Sequence, residues 1–180
     1  MKRKWLAVVG GVVAVVLAVG LALFQPWHLW QDSYIDEAVP TPTGAASSDG
    51  APGSANTQGA EKSAPEEPTV LAMGDFVDGE HHAEGVAKVL ELSDGSRFVR
   101  LENLVTSEGP DVHIWLTDQP SGGSWGSYDD GRYVRLGELK ADHGNQNYRI
   151  PADADITGMR SVVIWCDAFN VAFGTAPVEL

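Results

Sequence analysis

Cys166 is the one cysteine among 180 residues, and it closes the apolar run Ser161-Val-Val-Ile-Trp-Cys166. A lone thiol has no intramolecular disulfide partner. Three fates are open to it: a buried packing residue, an intermolecular disulfide, or a reactive or metal-ligating sulfur. Its surroundings in the chain exclude several sharper chemistries. Covalently attached haem needs a Cys-x-x-Cys-His array, which one cysteine does not supply. A blue-copper centre needs two histidines and commonly a methionine with the cysteine, and no histidine or methionine follows Cys166. No nucleophile elbow is present, and the run Ser121-Gly-Gly-Ser-Trp-Gly126 lacks the lysine of a phosphate-binding loop. Asp129, Asp130, Asp153 and Asp155 carry oxygen ligands of the kind calcium takes, but their spacing completes no EF-hand loop. No catalytic constellation is visible, so an enzyme is not expected, although a redox role needs none of these motifs.

The elements that must position Cys166 read as strands. No segment between residues 69 and 180 holds a helical period over three turns, whereas short apolar runs alternate with turn chemistry throughout. Residues 85–92 and 98–104 flank Ser93-Asp-Gly-Ser96, where Asp-Gly supplies the positive-φ positions of a tight hairpin. Further strands are expected at 73–77, 112–117, 133–136, 146–150, 162–166 and 171–176. Gly109-Pro110, residues 120–126, Asp129-Asp-Gly131, His143-Gly-Asn145 and residues 151–158 read as loops. About seven or eight strands in one domain of ordinary size favour an all-β antiparallel sandwich or a small barrel. Side chains alternate along a strand, so Val162, Ile164 and Cys166 share one face and Val163, Trp165 and Asp167 the other. Free cysteine is among the most buried residue types, and with aliphatic neighbours on its face a core cysteine is the default expectation.

The N-terminus bears on the compartment. Residues 1–5 are basic, and residues 6–24 are nineteen uncharged, mostly aliphatic residues. At 1.5 Å per residue that run reaches about 28 Å, close to the ~30 Å hydrocarbon core and longer than a usual signal-peptide core. No positive charge recurs before Lys62, so a signal-anchor helix is expected with its N-terminus cytoplasmic and the remainder outside the cell membrane. A cleaved signal peptide is the rival reading. A bacterial lipid anchor is excluded, because no cysteine follows the apolar run. Residues 25–69 read as interfacial tryptophans followed by a disordered linker rich in Ala, Gly, Ser and Pro. As a free coil the 38 residues from Gln31 to Pro68 would hold a following domain on the order of 35 Å from the membrane. Residues 70–180 form that domain. Eighteen acidic against eight basic residues from Asp75 onward, a local charge of −10, make nucleic acid an unsuitable partner.

Residue order adds a resemblance. Leu101-Glu-Asn-Leu104, Gly109-Pro-Asp-Val112 with Trp115-Leu116, Leu136-Gly-Glu-Leu-Lys140, Gly144-Asn-Gln-Asn-Tyr-Arg-Ile-Pro151, Val162-Val-Ile-Trp-Cys166, Phe169 and Phe173-Gly-Thr-Ala176 stand in sequence. Together with His82-Ala-Glu-Gly85 they resemble the DM-thirteen domain, a family named for electron transfer. The resemblance implies a compact extracytoplasmic β-domain whose signature cysteine, here Cys166, acts as a naked thiol or as a ligand to a prosthetic group such as haem or a metal. It also implies His82 as a candidate second ligand, through a neutral imidazole nitrogen. The alternative for His82 is a structural histidine satisfied by an acidic neighbour. Asp111 reads as a strand-entry residue whose carboxylate takes backbone donors, and Asp111, Gly85 and Trp165 are expected to be structural members of the signature. Two functions stay open: a membrane-tethered redox or electron-transfer domain with an unidentified partner, and a non-catalytic surface module with Cys166 in its core.

Overall fold

A computed structural model describes residues 33–42 and 67–180. The helix expected over 6–24 and most of the linker lie outside these residues. Among the described residues no helix is long and apolar enough to cross a membrane. What is described is all β. Ten strands run in chain order: β1 Tyr34–Asp36, β2 Thr69–Asp75, β3 Val77–Asp78, β4 Glu84–Glu91, β5 Arg97–Val105, β6 Val112–Thr117, β7 Tyr133–Glu138, β8 His143–Ile150, β9 Ser161–Cys166 and β10 Val171–Pro177. They form two five-stranded sheets, β1-β8-β5-β4-β2 and β3-β10-β9-β6-β7, and neither closes into a barrel.

The sandwich core follows from the pleat. Ala87 and Val89 of β4, Val99, Leu101 and Leu104 of β5, and Tyr148 and Ile150 of β8 face Val112, Ile114 and Leu116 of β6, Val162, Ile164 and Cys166 of β9, and Phe173 of β10. Every residue of β9 is buried. The reason is a second, smaller cluster on the outer face of its sheet, where Trp115, Val163, Trp165 and Ala172 are covered by Tyr128 from the β6–β7 loop. That loop is drawn back by Thr117, whose hydroxyl donates to a carbonyl within it, and by the Ala172 N–H, which donates to the Trp125 carbonyl at 2.8 Å.

Three local features differ from the pattern in the sequence. Alternation predicts a single strand over 73–77, but the chain breaks at Phe76, whose ring drops into the core while the backbone passes from one sheet to the other as β2 and β3. Turn chemistry predicts a loop at His143-Gly-Asn145, but these residues begin β8, with partners on both edges: Tyr34, Ile35 and Asp36 of β1 pair with His143, Gly144 and Asn145, and Val105 and Leu104 of β5 pair with His143 and Gly144. Composition assigns residues 33–42 to the linker, yet they belong to the β-domain and are no part of a free spacer.

Polar chemistry fixes that segment. The Ser33 N–H and hydroxyl both donate to Asp142 Oδ1, at 2.7 and 2.8 Å, and the Asp142 N–H donates back to the Ser33 hydroxyl at 3.0 Å. Lys140 Nζ binds both Glu37 carboxylate oxygens, at 2.7 and 2.9 Å. The Arg100 guanidinium donates to the carbonyls of Glu37 and Ala38, to Asn147 Oδ1 and to Glu102. Arg100 and Asp142 are only 5% and 4% exposed, so both buried charges rely on residues 33–42 for part of their compensation.

Burial works against ionisation of Glu37, Glu102 and Asp142, but their partners outweigh it. Lys140 and the Asn147 N–H hold Glu37 below its usual value, Lys88 and Arg100 hold Glu102, and His143 and Ser33 hold Asp142. A depressed carboxyl stabilises the fold above its unfolded-state value and loses that contribution as pH falls through its folded-state value. Stability should therefore hold steady above about pH 5 and decline below about pH 4. Urea midpoints between pH 7 and pH 2.5 test this, with Glu37→Gln expected to flatten the decline. A midpoint unchanged from pH 5 to pH 3 would contradict the assignment.

Candidate functional site

Cys166 ends β9 on the inward face, free of any disulfide and 0% exposed. Its register neighbours are Val112 on β6 and Val171 on β10. A β-bulge between Ala172 and Gly174 turns Phe173 inward at the same end of the core. The β5–β6 loop closes over that end at Gly109. A side chain there would come within 2.6 Å of Val112 Cγ2 and 2.9 Å of Phe173 Cζ, so the close approach requires glycine.

The two adjacent histidines have different fates. The His81 ring packs on Phe173 with centroids 3.9 Å apart, which places it over the core end that holds Cys166. The His82 side chain is 63% exposed and turns to carboxylates, with Nδ1 3.0 Å from Asp78 Oδ1 and Nε2 3.8 Å from Glu84 Oε2. Asp78 is in turn held below its usual value, first by the Ala83 N–H, against slight desolvation, and then by His82. None of the contacts made by His82 involves Cys166. Gly85, three residues on, sits at φ 115 on a bulge between β4 and β5, where a Cβ would meet the Glu102 and Asn103 carbonyl oxygens at 2.7 and 2.8 Å.

On the outer face of the same strand end lies a polar group that the sequence did not reveal. Asp111, His113 and Asp167 bring ligand atoms within 4.8 Å of one another. His113 Nε2 is 2.7 Å from Asp111 Oδ1 and 3.5 Å from Asp167 Oδ2. Asp111 does enter a strand, but its carboxylate faces this imidazole, and it is its backbone carbonyl that takes the Asp167 N–H. Arg135 forks onto both Asp167 oxygens at 2.7 and 3.0 Å, and the Trp165 indole N–H donates to Oδ1 at 3.1 Å. The Arg135 guanidinium also lies 4.8 Å over the Trp115 ring. Trp115 is stacked between Tyr133, at 4.4 Å, and Trp165, at 4.8 Å. The donors are of the type that divalent metals accept. A cation among them would sit against Arg135, so the arrangement is best described as an ion network in which arginine already balances the acids. Strand alternation could have put His113 with Trp115 and Trp165 with Asp167. Bringing the two pairs together needed the β6–β9 register.

The model of the family described as Electron transfer DM13 matches residues 75–178, which are 104 of the 180 residues. The chain belongs to this family. No curated protein and no solved structure matches it.

The DM13 resemblance leaves two roles for Cys166, a naked thiol or a ligand to a prosthetic group such as haem or a metal. The donor set does not fit one in this conformation. The residues sharing the cysteine's face or its register, Val162, Ile164, Val112 and Val171, are aliphatic and offer no second ligand. The cleft beside Val112, about 460 Å³, is lined instead by Glu108, Asp111, Glu138, Lys140 and Asp142.

The Arg135–Asp167 pair is half exposed on one side, so its coupling should be modest, about 1 kcal/mol. A double-mutant cycle with Asp167→Asn and Arg135→Gln, read by urea unfolding, measures it. Zero coupling would mean that the fork contributes nothing to stability.

Proposed function

We propose that this DM13 chain is a membrane-tethered, extracytoplasmic redox domain in which Cys166 is a guarded thiol, reactive when the loop over its end of the core opens. The observation that supports this reading is the position of Cys166, the last residue of β9, paired with Val112 of β6, which together with Phe173 lies against Gly109 of the β5–β6 loop. With a peroxide as oxidant, the thiolate sulfur attacks one oxygen, an S–O bond forms and the O–O bond breaks. The leaving alkoxide or hydroxide takes up the thiol's proton. Sulfur ends as sulfenic acid and the peroxide as alcohol or water.

One observation favours a second reading, a non-catalytic surface module with Cys166 as packing: the thiol is wholly buried among aliphatic side chains. The rate at which a maleimide labels Cys166 separates the two. A guarded thiol should label through a local opening, with a urea dependence much weaker than that of global unfolding. Gly109→Ala, which must displace Val112 or Phe173, should raise the native rate about tenfold, equivalent to about 1.4 kcal/mol in the opening equilibrium. Peroxide should then add one oxygen to the protein, seen by mass spectrometry. Labelling that tracks global unfolding in both proteins would leave the packing role and remove the redox one.

The tether rests on the basic residues 2–4 and the apolar run 6–24. The full chain should stay with membranes through an alkaline carbonate wash, while a chain lacking residues 1–30 should not. Release of the full chain would refute the anchor, and a mature protein found to begin after residue 24 would establish cleavage instead.

A further inference from the structure

We infer that the edge of β8 opposite β5 is a peptide-accepting site, that its ligand is an extended acidic segment of the form Ser-x-x-Asp-Glu, and that residues 33–42 occupy it as a releasable intramolecular ligand. The segment lies outside the 75–178 family match and is joined to β2 through residues 43–66, a run of 24 residues with no large aliphatic or aromatic side chain. It adds to β8 in parallel, whereas every other strand pairing among the described residues is antiparallel. This is the geometry of strand addition, in which main-chain bonds supply affinity and alternate side chains supply selectivity.

Recognition is polar rather than by burial. No residue of 33–42 belongs to either core cluster, and Tyr34 is 71% exposed. Main-chain bonds run from the His143 N–H to the Ser33 carbonyl and from the Glu37 N–H to the Asn145 carbonyl. Side-chain selectivity comes at the first, fourth and fifth positions. Ser33 exchanges hydrogen bonds with Asp142, Asp36 accepts from Asn145 at 2.7 Å, and Glu37 accepts from Lys140 and from the Asn147 N–H at 2.6 Å. At the exit, the Glu37 and Ala38 carbonyls meet Arg100. An empty site would leave Asp142 without its serine donors and Arg100 without two acceptors. Those vacated groups define the ligand: a hydroxyl with its own N–H at one end and carboxylates with free carbonyls at the other.

The described residues that flank 43–66 in the chain line one groove, with Val39, Pro40 and Thr41 before the run and Glu67, Pro68 and Val70 after it. A covalent connection of 24 residues puts the segment at an effective concentration on the order of millimolar, enough to fill the site without making it a permanent strand.

The test uses the full chain, a chain lacking residues 33–42, and a fluorescent peptide of residues 33–42 followed by anisotropy. The deleted chain should bind the peptide saturably, at least tenfold more tightly than the intact chain, whose site is filled. A peptide carrying Ser33→Ala and Glu37→Lys should bind at least tenfold more weakly. Near-ultraviolet circular dichroism of the buried tryptophans reports whether the deleted chain is folded. If it is folded and binds no peptide, or if both peptides bind alike, the inference fails. If it is unfolded, millimolar peptide should restore the signal, and no restoration would make residues 33–42 an integral strand. A dimer of the intact chain that the deleted chain does not form would show the same site taking the segment of a second copy.

Discussion

A strand that buries both faces needs two covers, and β9 has them. Its inward face meets the opposite sheet through Val162, Ile164 and Cys166, and its outward face lies under the β6–β7 loop through Val163 and Trp165. Much of the architecture follows from this. The β6–β7 loop must fold back rather than project, which is why Thr117 and Ala172 are bonded to it and Tyr128 is buried. Charged groups have no place along β9 and collect where it ends. There Asp167 turns to Arg135, His113 and the Trp165 indole while Cys166, one residue earlier, turns into the core. The thiol and the ion network are thus back to back on one strand, separated by the sheet itself.

Buried charge imposes a second dependence that reaches beyond the family domain. A guanidinium and a carboxylate as enclosed as Arg100 and Asp142 are tolerable only with several partners each. Some of those partners come from residues 33–42. The DM13 match marks where the common core lies, but in this chain the folded unit starts earlier, and a domain cut at residue 75 would expose charges to incomplete compensation.

The strands at residues 98–104 and 162–166 were legible because each carries enough apolar residues to show its period. The core position of Cys166 was legible for the same reason, since alternation alone aligns it with Val162 and Ile164. Residues 33–42 were not, because they dock by hydrogen bonds and contribute nothing to either core cluster, so composition classed them with the linker. The ion network stayed hidden for a different reason. Asp111, His113, Arg135 and Asp167 come from three strands and their ends, and only pairing register brings them together. The break at Phe76 was hidden because an apolar residue reads the same in a continuous strand as in one that changes sheets.

These two dependences bear differently on redox chemistry. The ion network and the ring stack of Tyr133, Trp115 and Trp165 reach the outer surface, whereas the cysteine is sealed from it. Any reaction at sulfur must therefore be preceded by movement, and the places that could move are few. The β9 backbone is hydrogen-bonded on both sides, to β6 and to β10, and both of its faces are covered. By contrast, the turn at Gly109-Pro110 covers the thiol's end of the core with little side chain of its own, and the His81 ring rests on Phe173 from the loop between β3 and β4. Opening at that end would uncover Cys166 while leaving the β9 ladder, the Arg135 fork and the docked segment on β8 intact. Chemistry at the Cys166 sulfur would therefore have to follow an opening of the loops at that end of the core, because the strand that holds the thiol is enclosed on both faces and hydrogen-bonded on both edges.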